Sequence, residues 1–212
     1  MPRIIAVRHG ETDANTEGRY QGQNQTPLNE TGRQQAQLLA GRLSGEGIRA
    51  ILCSDLARAW QTAEPVANRL GLPVEPEPLL REIDVGRWEG LNYQEIQERF
   101  PDLAQEWDLH SVHAPMPGGE SADDLARRVS DLLDRLRTLS DDHTVLLVTH
   151  GGWIQALLCL SLGVDLQRRY QFRVHNASVS AISYYGQFAM LELFNDCHHL
   201  GGAPEREPER AD

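Results

Sequence analysis

Residues 4 to 13 read Ile4-Ile5-Ala6-Val7-Arg8-His9-Gly10-Glu11-Thr12-Asp13. An apolar run without polar residues at alternate positions is expected of a parallel strand covered on both faces. A cation, an imidazole and a glycine follow it directly. That order places a guanidinium, a nucleophile and free backbone N–H groups at the end of a buried strand, a combination suited to a phosphate group. A short Arg-His-Gly motif is weak evidence alone, so its meaning depends on what the remaining chain brings to the same place.

A second strand ends in the same way. Thr144-Val145-Leu146-Leu147-Val148-Thr149 runs into His150-Gly151-Gly152 and then into the apolar segment Trp153 to Leu162. In open α/β sheets ligands bind outside the carboxyl ends of strands, so His9 and His150 are expected to face one site. Gly151 and Gly152 open a helix whose free N–H groups and positive dipole end favour an anion. Ile48 to Cys53 reads as a third strand, and the helix after it carries Arg58 in its first turn. Arg8 and Arg58 are then expected to fork onto a phosphate from two sides. Glu82 is the carboxylate nearest this group in the order of strands and loops.

Between these strands, Glu11 to Pro27 is polar and aperiodic, and a loop of that length in a compact domain is usually functional. Thr31 with Gln34 resembles a capping box for a helix to Leu43, with Asn29 as a rival cap. Ser54-Asp55 reads as the cap of the helix carrying Arg58, and Pro65 is expected to bend or break that helix. Pro73 to Glu77 reads as an edge strand. Residues 79 to 120 leave the strand–helix alternation and are expected to form a lid insertion over one end of the sheet. Trp107, His110, His113 and Met116 there either select the substrate or pack beneath a loop. Gly119, Glu120 and Ser121 are read as a helix start, with Ser121 and Asp124 capping a helix whose Leu125, Val129, Leu132, Leu133 and Leu136 share one face. Strands near 178–184 and 188–194 form a hairpin through Gly186. The predicted fold is α/β, a three-layer αβα arrangement with a mostly parallel sheet, as one domain over residues 1–200 followed by a disordered tail at 201–212.

Composition narrows the function. A chain of 212 residues with 40% hydrophobic and 24% charged residues has an ordinary soluble composition. Its longest apolar stretch is too short to span a bilayer, and the N-terminus lacks a secretory pattern, so no membrane partner and a cytoplasmic location are expected. A formal net charge of -11 opposes nucleic-acid binding. Cys53, Cys159 and Cys197 do not form a disulfide pattern. Cys197-His198-His199 lacks a partner cluster at metal-ligand spacing, so neither metal nor cofactor is expected. Asn176-Ala177-Ser178 matches a glycosylation acceptor, without consequence in a cytoplasmic protein.

With these residues assembled, the chain resembles the histidine phosphatase, or phosphoglycerate mutase-like, superfamily from Arg3 to about Gly202. The resemblance rests on Arg8-His9-Gly10-Glu11-Thr12 with Asn15, Arg19-Tyr20-Gln21-Gly22, Ser54 to Ala59 with Gln61-Thr62-Ala63, Leu80-Arg81-Glu82 with Gly86 and Trp88-Glu89-Gly90, Gly118 to Ser121, and Thr149-His150-Gly151. It implies that His9 becomes phosphorylated, that Arg8, Arg58 and His150 hold the phosphoryl group, and that Glu82 is the proton donor. Asn15, Gln21 and Gly22 match pocket positions. A metal-independent phosphatase acting on a small phosphorylated metabolite, as a monomer or homodimer, is the implied activity. Its closing segment Leu193 to Leu200 resembles bacterial α-ribazole, phosphoserine and broad-specificity phosphatases. A 2,3-bisphosphoglycerate-dependent mutase would be expected to have a longer, more basic insertion, whereas residues 90–120 contain Arg99 as their one Lys or Arg. An inert phospholigand-binding module is opposed by the intact His9, Glu82 and His150.

Overall fold

The computed structural model describes residues 3–102, 113, 115–137, 143–186 and 188–201. Six strands form one sheet in the order β3-β2-β4-β1-β5-β6. These are β1 (Arg3–Arg8), β2 (Ile48–Cys53), β3 (Val74–Pro76), β4 (Thr144–Thr149), β5 (Val179–Tyr185) and β6 (Phe188–Asp196). The first four are parallel where they pair, while β5 runs antiparallel to both β1 and β6. The fold is therefore a three-layer α/β sandwich with a mixed sheet and a C-terminal hairpin.

The apolar runs divide between two layers. Ile4 and Ala6 of β1, with Val145 and Leu147 of β4, pack under α5 (Ala122–Leu136) and α6 (Gly151–Leu162). Ile5 and Val7, with Leu146 and Val148, pack under α2 (Glu30–Leu43) and α3 (Ala57–Leu70). Successive residues of a strand face opposite sides, so both layers take their share from one continuous apolar run. Because β1 leads to α2 on one face and neighbouring β4 leads to α6 on the other, their two connections part company. The crevice between them opens at the carboxyl ends of β1 and β4, a topological switch point.

Several local expectations change. The cap of α2 is Asn29, whose side chain accepts from Gly32 N at 2.8 Å; Thr31 lies inside the first turn. Helix α3 begins after Leu56 with no side-chain cap: Asp55 pairs with Arg81, and Ser54 Oγ meets His150 and, at 3.4 Å, Leu56 N. Pro65 does not break α3, which runs unbroken to Leu70 with Ala59, Ala63 and Val66 buried against the sheet. One missing N–H is outweighed by that packing face. The polar stretch after β1 includes a single helical turn, α1 (Asp13–Thr16), capped by Thr12. Ser121 caps α5 through a reciprocal bond pair with Asp124, as expected.

Within the 79–120 insertion, Gly86–Trp88 forms a 3-10 turn and α4 (Tyr93–Arg99) follows. Met116 is buried beside Val85, Trp88 and Ile96, so it packs beneath the insertion. His113 lies exposed, its Nδ1 2.5 Å from Asp123 Oδ2. Trp107, His110 and the 202–212 tail lie outside the described residues. Cys53, Cys159 and Cys197 are free and buried. Among the described residues no helix is long and apolar enough to cross a membrane.

Candidate active site

The register pairs Arg8 with Thr149, which sets His9 and His150 side by side just beyond the ends of β1 and β4. Their ring centroids are 5.2 Å apart with the planes tilted by 57°. His9 N donates to Thr149 O at 2.9 Å, so the strand pairing continues to the histidine itself. His9 Nδ1 lies 2.7 Å from Gly10 O. A carbonyl can only accept, so Nδ1 carries the proton, and a neutral His9 keeps its lone pair on Nε2. Burial, then Arg58 and Arg8, hold the His9 imidazole well below its ordinary pKa.

His150 is fully buried at 0% exposure. Its Nε2 meets Ser54 Oγ at 2.8 Å, while its Nδ1 is buried without a hydrogen-bond partner. Burial, followed by Arg58, His9 and Arg8, lowers its pKa in the same direction. Ser54 was read as a helix cap; it instead orients His150.

Both predicted cations reach the crevice. Arg8 Nη1 donates to Val174 O at 2.6 Å. Arg58 is buried, with Nη1 donating to Asn24 O at 2.9 Å and Nη2 to Gly22 O at 2.7 Å. Those bonds fix the guanidinium plane and commit part of the fork to the protein. Arg58 Nε remains buried without a partner. Burial lowers the Arg58 pKa to about 10, with Glu82 opposing, so the group stays charged at neutral pH. In a strongly acidic chain, this crevice collects two guanidinium groups and two neutral imidazoles around one carboxylate.

That carboxylate is Glu82, and the anion expected at the N-terminus of α6 is Glu82 itself. Gly152 N donates to Glu82 Oε2 at 3.1 Å, and Ile83 N donates to Oε1 at 2.9 Å. The expectation that both glycine N–H groups were vacant is thereby corrected for Gly152. Gly151 packs against Arg8: a Cβ built on it would lie 3.5 Å from Arg8 Nε.

Asn15 and Gln21 bond to Thr12 in the turn after His9, and Gly22 O accepts from Arg58. Asn15 Oδ1 accepts from Thr12 N at 3.1 Å and from Thr12 Oγ1 at 2.9 Å. Thr12 Oγ1 also lies 3.0 Å from the side-chain Oε1 of Gln21. Gly22 has φ +52 and no room for a side chain, since a Cβ would come within 2.8 Å of both Glu89 Oε1 and Val85 Cγ2. Glu11 fixes the turn, as its carboxylate accepts from Asn29 Nδ2 at 2.9 Å.

Four further groups, two of them (Thr62 and Glu120) inside motifs quoted above, take structural roles that the sequence does not assign. Asn176 Nδ2 donates to His9 O at 3.0 Å, Gly10 O at 3.3 Å and Asn15 Oδ1 at 3.2 Å. Thr62 Oγ1 accepts from Gly10 N at 2.9 Å. Arg128 and Glu120 brace the segment carrying Glu82, so Glu120 does more than start a helix. The usable signal was modest: Asn176 precedes a strand that pairs antiparallel with β1, and so lands beside its carboxyl end.

Residues 4–197 match the family model of the histidine phosphatase superfamily (branch 1). The chain is 36% identical over 201 residues to phosphoserine phosphatase 1 of Hydrogenobacter thermophilus, covering 95% of each. Its fold superposes on the α-ribazole phosphatase of Shigella flexneri with a TM-score of 0.85 and 32% identity, covering 92% of this chain and 96% of that one. A mycobacterial glucosyl-3-phosphoglycerate phosphatase in complex with VO3 gives a TM-score of 0.82 and 33% identity, covering 91% of this chain and 98% of that one. The chain belongs to branch 1 of the histidine phosphatase superfamily and is an enzyme of the phosphomonoester hydrolase class.

Proposed function

We propose that the protein hydrolyses small phosphomonoesters, without a metal ion, through a phosphohistidine at His9. The observation that carries this reading is the His9 Nδ1 contact with Gly10 O in a buried crevice shared with Arg8 and Arg58. It favours a neutral imidazole with its lone pair on Nε2. That atom attacks phosphorus while the ester P–O bond breaks. The leaving alkoxide takes a proton from Glu82, and the guanidinium groups of Arg8 and Arg58, with His150, offset charge on the phosphoryl oxygens. Water then attacks the phosphohistidine, Glu82 accepts its proton, and inorganic phosphate leaves. Asn15, Gln21, Gly22 and Gly151 line the phosphate end.

Hydrolysis is favoured over mutase action by the scarcity of cations in the insertion. Arg87 stacks over the Phe100 ring at 4.8 Å, and Arg19 is taken by Glu17 and Glu95. A second phosphate would need uncommitted groups. The three free, buried thiols support a cytoplasmic enzyme, acting as a monomer or homodimer. By similarity to its relatives, the substrate is sought among phosphoserine, α-ribazole phosphate and glucosyl-3-phosphoglycerate. Orthovanadate is expected to inhibit competitively.

The test is a denaturing quench in SDS at alkaline pH with a 32P-labelled ester. Wild type should trap an acid-labile, base-stable phosphoprotein, and His9→Ala should trap none and lose at least about 10³-fold in kcat. A His9→Ala enzyme that still hydrolysed p-nitrophenyl phosphate at the wild-type rate would end this reading. So would activity that chelation abolished and Zn²⁺ restored. Isomerisation of phosphoglycerate outpacing hydrolysis, with bisphosphoglycerate present, would favour the mutase.

A further inference from the structure

The chain from Leu79 to Asp84 is held by side chains from elsewhere in the fold. Arg128, on α5, donates from Nη1 to Leu79 O at 2.9 Å and to Arg81 O at 2.7 Å. Its Nη2 reaches Glu82 O at 2.9 Å and Glu120 Oε2 at 2.9 Å, and its Nε reaches Glu120 Oε1 at 2.9 Å. A guanidinium has five N–H donors. All are engaged here, so Arg128 has none left for a phosphate despite lying near the crevice.

Glu120 completes the brace. Its Oε2 accepts from Asp84 N at 2.9 Å, while Glu120 N donates to Asp84 O at 2.8 Å. The approach is close enough that a Cβ on Gly119 would fall 2.2 Å from Asp84 O. Thr149 Oγ1 and Gln23 Nε2 add bonds to Leu80 O at 2.7 Å and Glu82 O at 3.1 Å. The side chain of Glu82 projects from this frame to meet Gly152 N.

We propose that the Arg128–Glu120 pair is a positioning device that aims the Glu82 carboxyl at the leaving-group oxygen by clamping the main chain on either side of it. The proposal rests on the reading of Glu82 as proton donor. Lysine at 128 keeps the charge but cannot reach three carbonyls and a carboxylate in one plane, so the clamp depends on the fork rather than on the charge. Glutamine at 120 keeps the shape of the carboxylate but replaces one acceptor oxygen by a donor facing Arg128 or Asp84 N.

The experiment compares kcat/KM, which reports the chemistry up to alcohol release, for p-nitrophenyl phosphate and for an alkyl phosphate whose leaving group needs a proton. Glu82→Gln, Arg128→Lys and Glu120→Gln are measured together with their thermal midpoints. For Glu82→Gln the ratio of alkyl to nitrophenyl rates should fall about 10²-fold or more. For Arg128→Lys and Glu120→Gln it should fall about 10-fold to 10²-fold, the scale of a misplacement near 1 Å. A steep ratio for Glu82→Gln with an unchanged ratio for both others would overturn the clamp and leave the proton donor standing. An unchanged ratio for Glu82→Gln would overturn both. If Arg128→Lys does not fold, Glu120→Gln decides by the same ratio. A lowered thermal midpoint with an unchanged ratio counts as a merely structural role and rejects the proposal.

Discussion

Glu82 and Gly152 are in contact: the carboxylate sits on the first turn of α6, 3.1 Å from the glycine N–H, although seventy positions separate the two residues. The carboxylate thus occupies the positive end of a helix dipole, with a backbone donor on each oxygen. A phosphate entering beside His9 would meet this acid already oriented. The absence of a side chain at 152 permits the contact, since a Cβ there would come within 2.6 Å of Glu82 Oε1.

Gly152→Ala should therefore separate activity from stability. Alanine is the better helix former by about 1 kcal/mol, so the thermal midpoint should hold or rise. The new methyl group displaces the Glu82 carboxylate, and kcat/KM on alkyl phosphates should fall about 10²-fold. An alanine variant with unimpaired turnover would show that Glu82 acts from some other position.

Acid should destabilise the protein before carboxylates protonate. Burial lowers the pKa of His9 and His150 well below 6.5, and it lowers His199 in the same direction. The unfolded chain takes up protons from about pH 6.5 downward, where the native state does not. Folding stability is therefore fully present above that pH and is lost as pH falls toward the native-state pKa values. Each histidine contributes a slope of up to about 1.4 kcal/mol per pH unit. Urea midpoints between pH 7.5 and 5.5 would show it, and His150→Gln should flatten the slope. Stability that rose on acidification would contradict the direction given for these imidazoles.

Why some of this could be read in advance and some could not is a matter of where each signal lies. Both histidines were legible because each closes a strand whose apolar run is unmistakable, and strand ends are where α/β sheets bind. Arg58 was legible as the first turn of a helix at that same end. Ser54 was misread because a Ser-Asp pair before an apolar helix carries the signature of a cap, while its partner His150 follows a strand far along the chain. Arg128 lies off the apolar face of its helix and matches no sequence motif. Its partners are main-chain carbonyls, which carry no mark in a sequence. Gly152 appeared to offer a vacant N–H for the same reason.

Asn176 shows this limit most directly, and it yields a graded test. Its amide faces three oxygen acceptors, from His9, Gly10 and Asn15. Asn176→Ala leaves them without that donor, at a cost of about 1–3 kcal/mol. Asn176→Asp has the same shape but sets an anion against those oxygens, and should be less stable than alanine. Both should lower kcat through a displaced His9. An aspartate variant as stable as wild type would mean that the amide nitrogen does not face these oxygens.

Two glycines of α2 should respond in opposite ways to the same substitution. Gly32 lies where the first turn of the helix crosses the loop behind His9; a Cβ there would stand 2.1 Å from Glu11 O and 2.8 Å from Glu11 N. The contact is reciprocal, since a Cβ on Gly10 would fall 2.6 Å from Gly32 O. These are backbone atoms, and no rotamer change relieves them. Gly32→Ala should cost about 3 kcal/mol and lower turnover in whatever remains folded, because the turn it displaces carries Gly10 and, one residue back, the nucleophile. Gly41, near the other end of the same helix, is exposed with nothing within 4 Å of a built Cβ. There the helix-forming preference of alanine acts unopposed, and Gly41→Ala should stabilise by about 0.5–1 kcal/mol with turnover unchanged. Thermal melts of the two variants side by side are the check: equal shifts would mean that α2 does not press on the turn beneath His9.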